Sequence, residues 1–296
     1  MPETQLTFDD VNNWPSPPVE GNQVTIKPLN NALWTETKAR LIQQYLRYFL
    51  FITKHGTYID GFAGPQNRAD EGSWAAKLVL EMEPKWLRNF FLCEFNRSSF
   101  DDLQVMVDSQ PVEAKRRIST HHGDFNSYVL EVLKSGVVTE KEATFALLDQ
   151  RTFECDWSTV ETLAKHKTGS KIELFYFFPT GWLSRSISGL KEEHKDEQMQ
   201  RWWGDESWVE LIGKRTSEQA DLMQKRIRSL GYADVKQWPI YERERGGGKV
   251  MYHMIHATDH QEAPKLMWRA YKNISSGALE DIEQFDLDLS LDETPG

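Results

Sequence analysis

The stretch Gly56-Thr57-Tyr58-Ile59-Asp60-Gly61-Phe62-Ala63-Gly64-Pro65-Gln66 constrains the fold more than any other part of the chain. It reads as a short buried strand at about 57–62 that runs into a tight turn. Tyr58 and Ile59 favour a strand. Asp60 falls where the strand ends, and Gly61 and Gly64 let the backbone turn and let a ligand come close. In open α/β sheets, ligands bind beyond the carboxyl ends of the strands. A small-molecule cofactor site is therefore expected here. An ordinary Gly-Pro turn competes with that reading, because a lone glycine pattern is a weak signal.

The surrounding pattern supplies the rest of a sheet. From Thr35, the apolar residues Leu41, Ile42, Tyr45, Leu46, Phe49 and Leu50 recur at helical spacing, with Thr35 as a cap and Gly56 as the stop. A polar loop at 65–72 follows the first strand and could form a lid, and Ser73 is the expected cap of a helix reaching Glu83. Apolar runs follow at Asn89–Glu94, Ala143–Asp149 and Ile172–Phe178, the first two ending in an acid, and Arg117–Asp124 gives a further strand, with helical segments between them. Continuous apolar strands alternating with helices predict a mainly parallel, doubly wound α/β sheet with helices on both faces.

Residues 183–230 read as a helical insertion, with helices over Ile187–His194, Glu197–Trp203 and about Ser207–Leu230. Its Lys214, Arg215, Lys225, Arg226 and Arg228 lie beside Trp202, Trp203 and Trp208, a mixture that either binds nucleic acid or packs Trp inward under a solvated face. Gly246-Gly247-Gly248 separates two strand-like runs, Val235–Arg243 and Lys249–Thr258, and predicts a hairpin. The sheet then has seven strands, the last antiparallel. A closing helix is expected over Ala263–Lys272. Residues 1–33 are rich in proline and read as an extended arm anchored by Trp14, leaving 34–274 as the α/β domain. Residues 275–296 carry seven acids and no Lys or Arg, which accounts for most of the formal net charge of −10. They read as a disordered acidic tail. The near-neutral body argues against a uniformly basic nucleic-acid binder but allows a local basic groove.

Tyr58-Ile59-Asp60-Gly61-Phe62-Ala63-Gly64-Pro65 resembles the first motif of class I methyltransferases that use S-adenosylmethionine (SAM), in the Asp-x-Phe-x-Gly variant. More closely it resembles the three-Cys-motif partner protein (TcmP) family. Thr37-Lys38, Glu71-Gly72-Ser73, Asp149 and the Tyr252–Thr258 strand fit the same resemblance, which covers roughly residues 34–274. Gln66 departs from it by replacing the usual third glycine. The late antiparallel strand also suits a methyltransferase better than a nicotinamide dehydrogenase.

The resemblance implies SAM as cofactor, bound by Asp60, Gly61, Phe62, Ala63, Gly64, Glu94, Asp124 and Phe125. Glu94 suits the ribose hydroxyls. Asp124 suits the adenine amine and can equally cap the following helix. Asp149, Gln150 and Arg151 occupy the catalytic turn, where amine-methylating relatives carry an acid or Asn followed by Pro-Pro-aromatic; Gln150-Arg151 replace the prolines. The competing expectation is that Asp149 and Arg151 pair and stiffen the turn.

The implied function is methyl transfer to a nucleic acid or nucleoside-type acceptor, with a three-Cys-motif protein as partner. The alternative is a non-catalytic SAM-binding or docking subunit. His253, His256 and His260 do not read as metal ligands, since an offset of three on a strand places His253 and His256 on opposite faces. Cys93 and Cys155 are the only cysteines, too few for a disulfide or metal framework, so a cytoplasmic location is expected. No signal-like segment and no apolar run of about 18 residues is present, so no membrane partner is expected.

Overall fold

The computed structural model describes residues 19–20, 23–24, 35–65, 71–241 and 249–276. The core is one seven-stranded sheet, with strands β1 (Gly56–Asp60), β2 (Leu87–Glu94), β3 (Arg117–His122), β4 (Thr144–Leu148), β5 (Glu173–Phe178), β6 (Asp234–Tyr241) and β7 (Val250–Thr258). Its spatial order is β3-β2-β1-β4-β5-β7-β6. Strands β1 to β5 pair in parallel, and β7 runs antiparallel to both β5 and β6. This is the mainly parallel sheet of class I SAM-methyltransferase type, closed by one antiparallel strand. The order reverses between β1 and β4, so the crevice at their carboxyl ends is the topological switch point.

Successive strand residues face opposite sides, and in β1, β4 and β5 both sides are buried. Tyr58, Phe90, Phe145, Phe175 and Phe177 pack with α1 (Thr35–Thr53), α2 (Ala75–Glu81), α3 (Arg97–Asp108) and α9 (Ala263–Ser276). Ile59, Phe91, Ala146, Tyr176 and Phe178 pack with α4 (Phe125–Lys134), α5 (Trp157–Lys165) and the helical insertion. The insertion comprises α6 (Leu183–Gly189), α7 (Glu192–Trp203), a 3-10 segment at Glu206–Leu211 and α8 (Thr216–Ser229).

Several boundaries differ from the sequence reading. Helix α1 stops at Thr53, and Lys54, at a φ of 58°, reverses the chain in the left-handed region; Gly56 is the first strand residue. A Cβ at Gly56 would sit 3.0 Å from the Phe49 ring, so its lack of side chain serves packing. Ser73 belongs to a short 3-10 turn, Glu71–Ser73; helix α2 begins two residues later, with Trp74 at its N-cap, and ends at Glu81. The expected helix over Ile187–His194 is split at Leu190, whose extended backbone (φ −71°, ψ 142°) separates α6 from α7.

Trp202, Trp203 and Trp208 are buried against the sheet. Arg226 lies over the Trp157 and Trp203 rings and pairs with Asp205 at 3.0 Å, while Arg228 donates to the Val235 carbonyl. These aromatic and basic residues are engaged in holding the insertion to the domain. In the N-terminal segment, Val19–Glu20 and Gln23–Val24 form a short antiparallel pair. The rest of the arm (including Trp14), the loop residues 66–70 with Gln66, the Gly246–Gly248 turn and the acidic tail from 277 lie outside the described residues.

Candidate active site

The turn after β1 is built by side chains beneath it. Asp60 is 1% exposed; its Oδ1 accepts from the Phe62 amide at 3.0 Å and its Oδ2 from the Tyr58 hydroxyl at 2.8 Å. Burial pushes the Asp60 carboxyl up to about 7, against the lowering effect of those two hydrogen bonds. The Gly61 amide donates to the Leu147 carbonyl and the Ala63 amide to the Cys93 carbonyl. Trp74 Nε1 donates to the Ala63 carbonyl at 2.6 Å. The chain is thus tied to β4 on one side and β2 on the other. Both glycines are required by close approach. A Cβ at Gly61 would lie 2.6 Å from the Phe125 ring, and one at Gly64 would lie 2.4 Å from Glu94 Oε2.

Beyond the turn opens a cavity of about 460 Å³ over the carboxyl ends of β1 to β4. Gly61, Phe62, Gly64, Glu94, Asp124 and Phe125 line it. Asp60 and Ala63 stand behind this surface as braces of the turn. Half-buried Glu94 accepts from the Gly64 amide at 3.0 Å and from the Asn96 amide at 2.7 Å, one with each carboxylate oxygen. Each oxygen keeps a further lone pair for a ligand. Asp124 caps α4 by accepting from the Asn126 amide at 3.1 Å, and it is exposed to the cavity. It therefore both caps and faces the site. Phe125 is buried and packs against Phe62, forming the cavity floor under Gly61. The far wall comes from Phe153 and Asp156 and from Gln198 and Arg201 of α7; Arg201 pairs with Asp156 at 2.9 Å.

The end of β4 sends successive side chains to opposite faces. Asp149, 8% exposed, pairs with Lys38 of α1: Nζ lies 2.6 Å from Oδ2 and 2.8 Å from Oδ1. The Lys38 ammonium also sits over Phe177, 4.6 Å from the ring centroid, and over Tyr252 at 5.6 Å. Burial raises the Asp149 carboxyl above its ordinary range, and Lys38 opposes that rise. Gln150 points the other way; its Oε1 accepts from the Cys155 amide and from Trp202 Nε1, both at 3.1 Å. Its side-chain oxygen is spent on the insertion and the turn. Arg151 is exposed, its amide donates to Glu154, and among the described residues its guanidinium pairs with no carboxylate. The expected mutual pairing of Asp149 and Arg151 is replaced by the Lys38–Asp149 pair.

A smaller chamber of about 70 Å³ lies on the α1 side of this turn, lined by Lys38, Asp149, Phe177, Pro179, Trp182 and Tyr252 together with Gln150 and Arg151. Asp149 and Arg151 line both spaces. Lys38, Phe177, Trp182 and Tyr252 were not singled out by sequence as site residues. One signal was available for Lys38, a charge three and four residues before Leu41 and Ile42 on the apolar stripe of α1.

His256 bonds Glu173 at 2.7 Å and His253 bonds Thr180 at 2.9 Å, so the two rings serve different partners. Among the described residues no cluster of His, Cys, Asp or Glu could hold a metal ion. Among them, too, no helix is long and apolar enough to cross a membrane.

No family model and no curated protein matches the chain. Among solved structures it is similar to a DUF574 family protein from Streptomyces avermitilis, at 8% identity and a TM-score of 0.43, over 76% of this chain and 83% of that one. It is similar to a putative caffeoyl-CoA O-methyltransferase from Staphylococcus aureus, at 9% identity and a TM-score of 0.38, over 74% of this chain and 83% of the other. It is also similar to P. horikoshii TYW2 in complex with MeSAdo, at 13% identity and a TM-score of 0.36, over 80% of this chain and 65% of that one. These are likenesses of chain course. The resemblance to the TcmP family rests on the sequence motifs alone.

Proposed function

We propose that the chain is a SAM-dependent methyltransferase acting on a nucleic acid or nucleoside-type acceptor, in concert with a three-Cys-motif partner protein. The observation that carries the cofactor assignment is the single cavity at the switch point, which gathers the Gly61–Gly64 turn, the Glu94 carboxylate and Asp124. The residues fit SAM chemically. Glu94 retains acceptor capacity for the two ribose hydroxyls, Asp124 can accept from the adenine amine, and the glycines allow backbone contact with the amino-acid moiety. Charge favours the same ligand. Glu94, Asp124, Asp149, Glu154 and Asp156 line the cavity against Arg151 and Arg201. An acidic wall suits a sulfonium and an ammonium. It disfavours the diphosphate of a nicotinamide dinucleotide, which ordinarily rests on a helix N-terminus directly after the first strand. Here α2 begins only at Ala75.

Bound there, SAM supplies a methyl group that an acceptor nucleophile can take. Asp149, which lines both spaces, orients the acceptor and takes up its proton, and Arg151 holds an anionic part of it. The partner rests on the TcmP resemblance. The inward turn of Gln150 favours a second reading, a SAM-binding docking subunit without transfer.

Thermal shift and calorimetry with SAM, its demethylated product and NAD test the cofactor. At 100 times its Kd, SAM should add about 2.7 kcal/mol of stability. A response to NAD and none to SAM overturns the proposal. A labelled-methyl screen over nucleic acids, with and without the partner, separates the enzyme from the docking subunit.

A further inference from the structure

Lys38 carries a buried amine with open space beside it. Only 4% of its side chain is exposed, yet the residue lines the smaller chamber of about 70 Å³. That volume is several times the roughly 10–15 Å³ that one water-sized group needs, so an added methyl group has room. Nζ contacts both oxygens of Asp149, at 2.6 and 2.8 Å, and has no other hydrogen-bond acceptor among the described residues. An ammonium has three N–H donors, so at least one of them is left over. The walls favour carbon on that nitrogen. Nζ lies over the Phe177 ring at 4.6 Å and over the Tyr252 ring at 5.6 Å, and Trp182 meets Tyr252 edge to face. Aromatic faces around a lysine nitrogen are the surroundings that hold methyl-lysine. A methyl in place of an N–H also removes a strongly hydrated group from a site with little water access.

The same amine stands next to the larger cavity. Asp149, which it touches, lines both spaces, so one carboxylate separates Nζ from the cavity of about 460 Å³. Burial closes Lys38 to an external enzyme and leaves the chain's own cofactor as the methyl donor.

We propose that Lys38 is a self-methylation site, its Nζ taking the methyl group of bound SAM and the smaller chamber holding the methyl-lysine. The donor rests on the SAM reading above. Nζ first gives one proton to Asp149, whose carboxyl is raised above its ordinary range by burial. The Nζ lone pair then forms the N–CH3 bond as the S–CH3 bond breaks and leaves its electron pair on sulfur. The products are a methylammonium, the demethylated thioether and one proton, which passes from Asp149 to water. Charge on the lysine is unchanged, so its pairing with Asp149 is kept.

The full chain is incubated with SAM bearing a deuterated methyl group, digested and mapped by mass spectrometry, with SAM affinity measured in parallel by calorimetry. The label should collect on Lys38, at a rate per molecule that does not change on dilution, and Lys38→Arg should abolish it. Asp149→Asn should slow labelling by about 100- to 10,000-fold, the usual worth of a positioned proton acceptor. Methyl already on Lys38 in the purified chain counts with the label, provided Asp149→Asn lacks it. Label spread over the exposed lysines, or appearing as fast on heat-denatured chain, overturns the proposal. SAM binding with Lys38 unmethylated overturns it and leaves the cofactor reading standing; absence of SAM binding overturns both.

Discussion

Replacing Lys38 by Met should take away the ammonium that contacts both oxygens of the buried Asp149 carboxylate. Breaking one side of a buried pair costs about 3–5 kcal/mol. For a chain of this size that is a fall in Tm on the order of 10 °C. The sign of the pH dependence follows from the carboxyl. Burial already raises Asp149 above its ordinary value, and Lys38 opposes the rise. Without Lys38 the folded carboxyl rises further. Its proton then stabilises the variant fully below the unfolded carboxylate range, and that help is lost as pH rises through the folded value. The Lys38→Met deficit should therefore be small in mild acid and grow toward pH 8. Arg151, Glu154 and Asp60 also face Asp149 electrostatically, so the comparison is a cycle. Lys38→Met, Asp149→Leu and the double variant are unfolded in urea at pH 5.5 and 8. The double variant, with both charges gone, should be more stable at pH 8 than Lys38→Met alone. Deficits that simply add, or a Lys38→Met deficit independent of pH, would refute the reasoning.

Glu94→Ala should weaken SAM by about 1.5–3 kcal/mol, roughly ten- to 150-fold in Kd by calorimetry, because a charged acceptor is lost; unchanged affinity moves the ribose site elsewhere. Asp60 is held neutral up to about pH 7 by burial, so its contribution to stability is full below the ordinary Asp range and lost as pH rises through 7. Asp60→Asn should therefore gain on the wild type between pH 5 and pH 8.5, by at most about 3 kcal/mol, in urea unfolding; parallel pH profiles would show that Asp60 is ionised in the fold.

The strands were legible because parallel strands buried on both faces leave continuous apolar runs, as at Phe145-Ala146-Leu147-Leu148. The lining of the larger cavity was legible for a related reason. Gly61, Gly64, Glu94 and Asp124 all lie at or just beyond strand ends, where local sequence dictates position. Asp60 was legible as the end of the strand but not as a brace of the turn, which depends on its bonds to Tyr58 and Phe62. The smaller chamber was not legible. Lys38 and Asp149 are 111 residues apart and meet only when α1 packs on the sheet. Trp182 and Tyr252 meet only because β7 returns antiparallel beside β5. Helix boundaries failed where a non-glycine residue made the turn, as Lys54 does, or where an apolar residue broke a helix, as Leu190 does.

The turn after β4 explains how the site does without the two prolines of the motif it resembles. Prolines fix a turn by locking φ within the chain itself. Here the same segment is fixed from outside. Asp149 is drawn to α1 by Lys38, Gln150 to α7 by Trp202, and the amides of Arg151 and Thr152 converge on the Glu154 carboxylate. Asn126 of α4 adds a fourth tie by donating to the Glu154 carbonyl and accepting from the Asp156 amide. Because successive side chains leave to opposite faces, the turn is pinned between two layers of helix, and the position of Arg151 depends on both. The helical insertion is thus part of the site's geometry as well as its roof. Loosening Trp202 removes the partner of a buried amide and frees the segment that divides the larger cavity from the smaller chamber. Proline would have made that segment rigid in isolation; hydrogen bonds make it rigid only while α1, α4 and α7 are all in place.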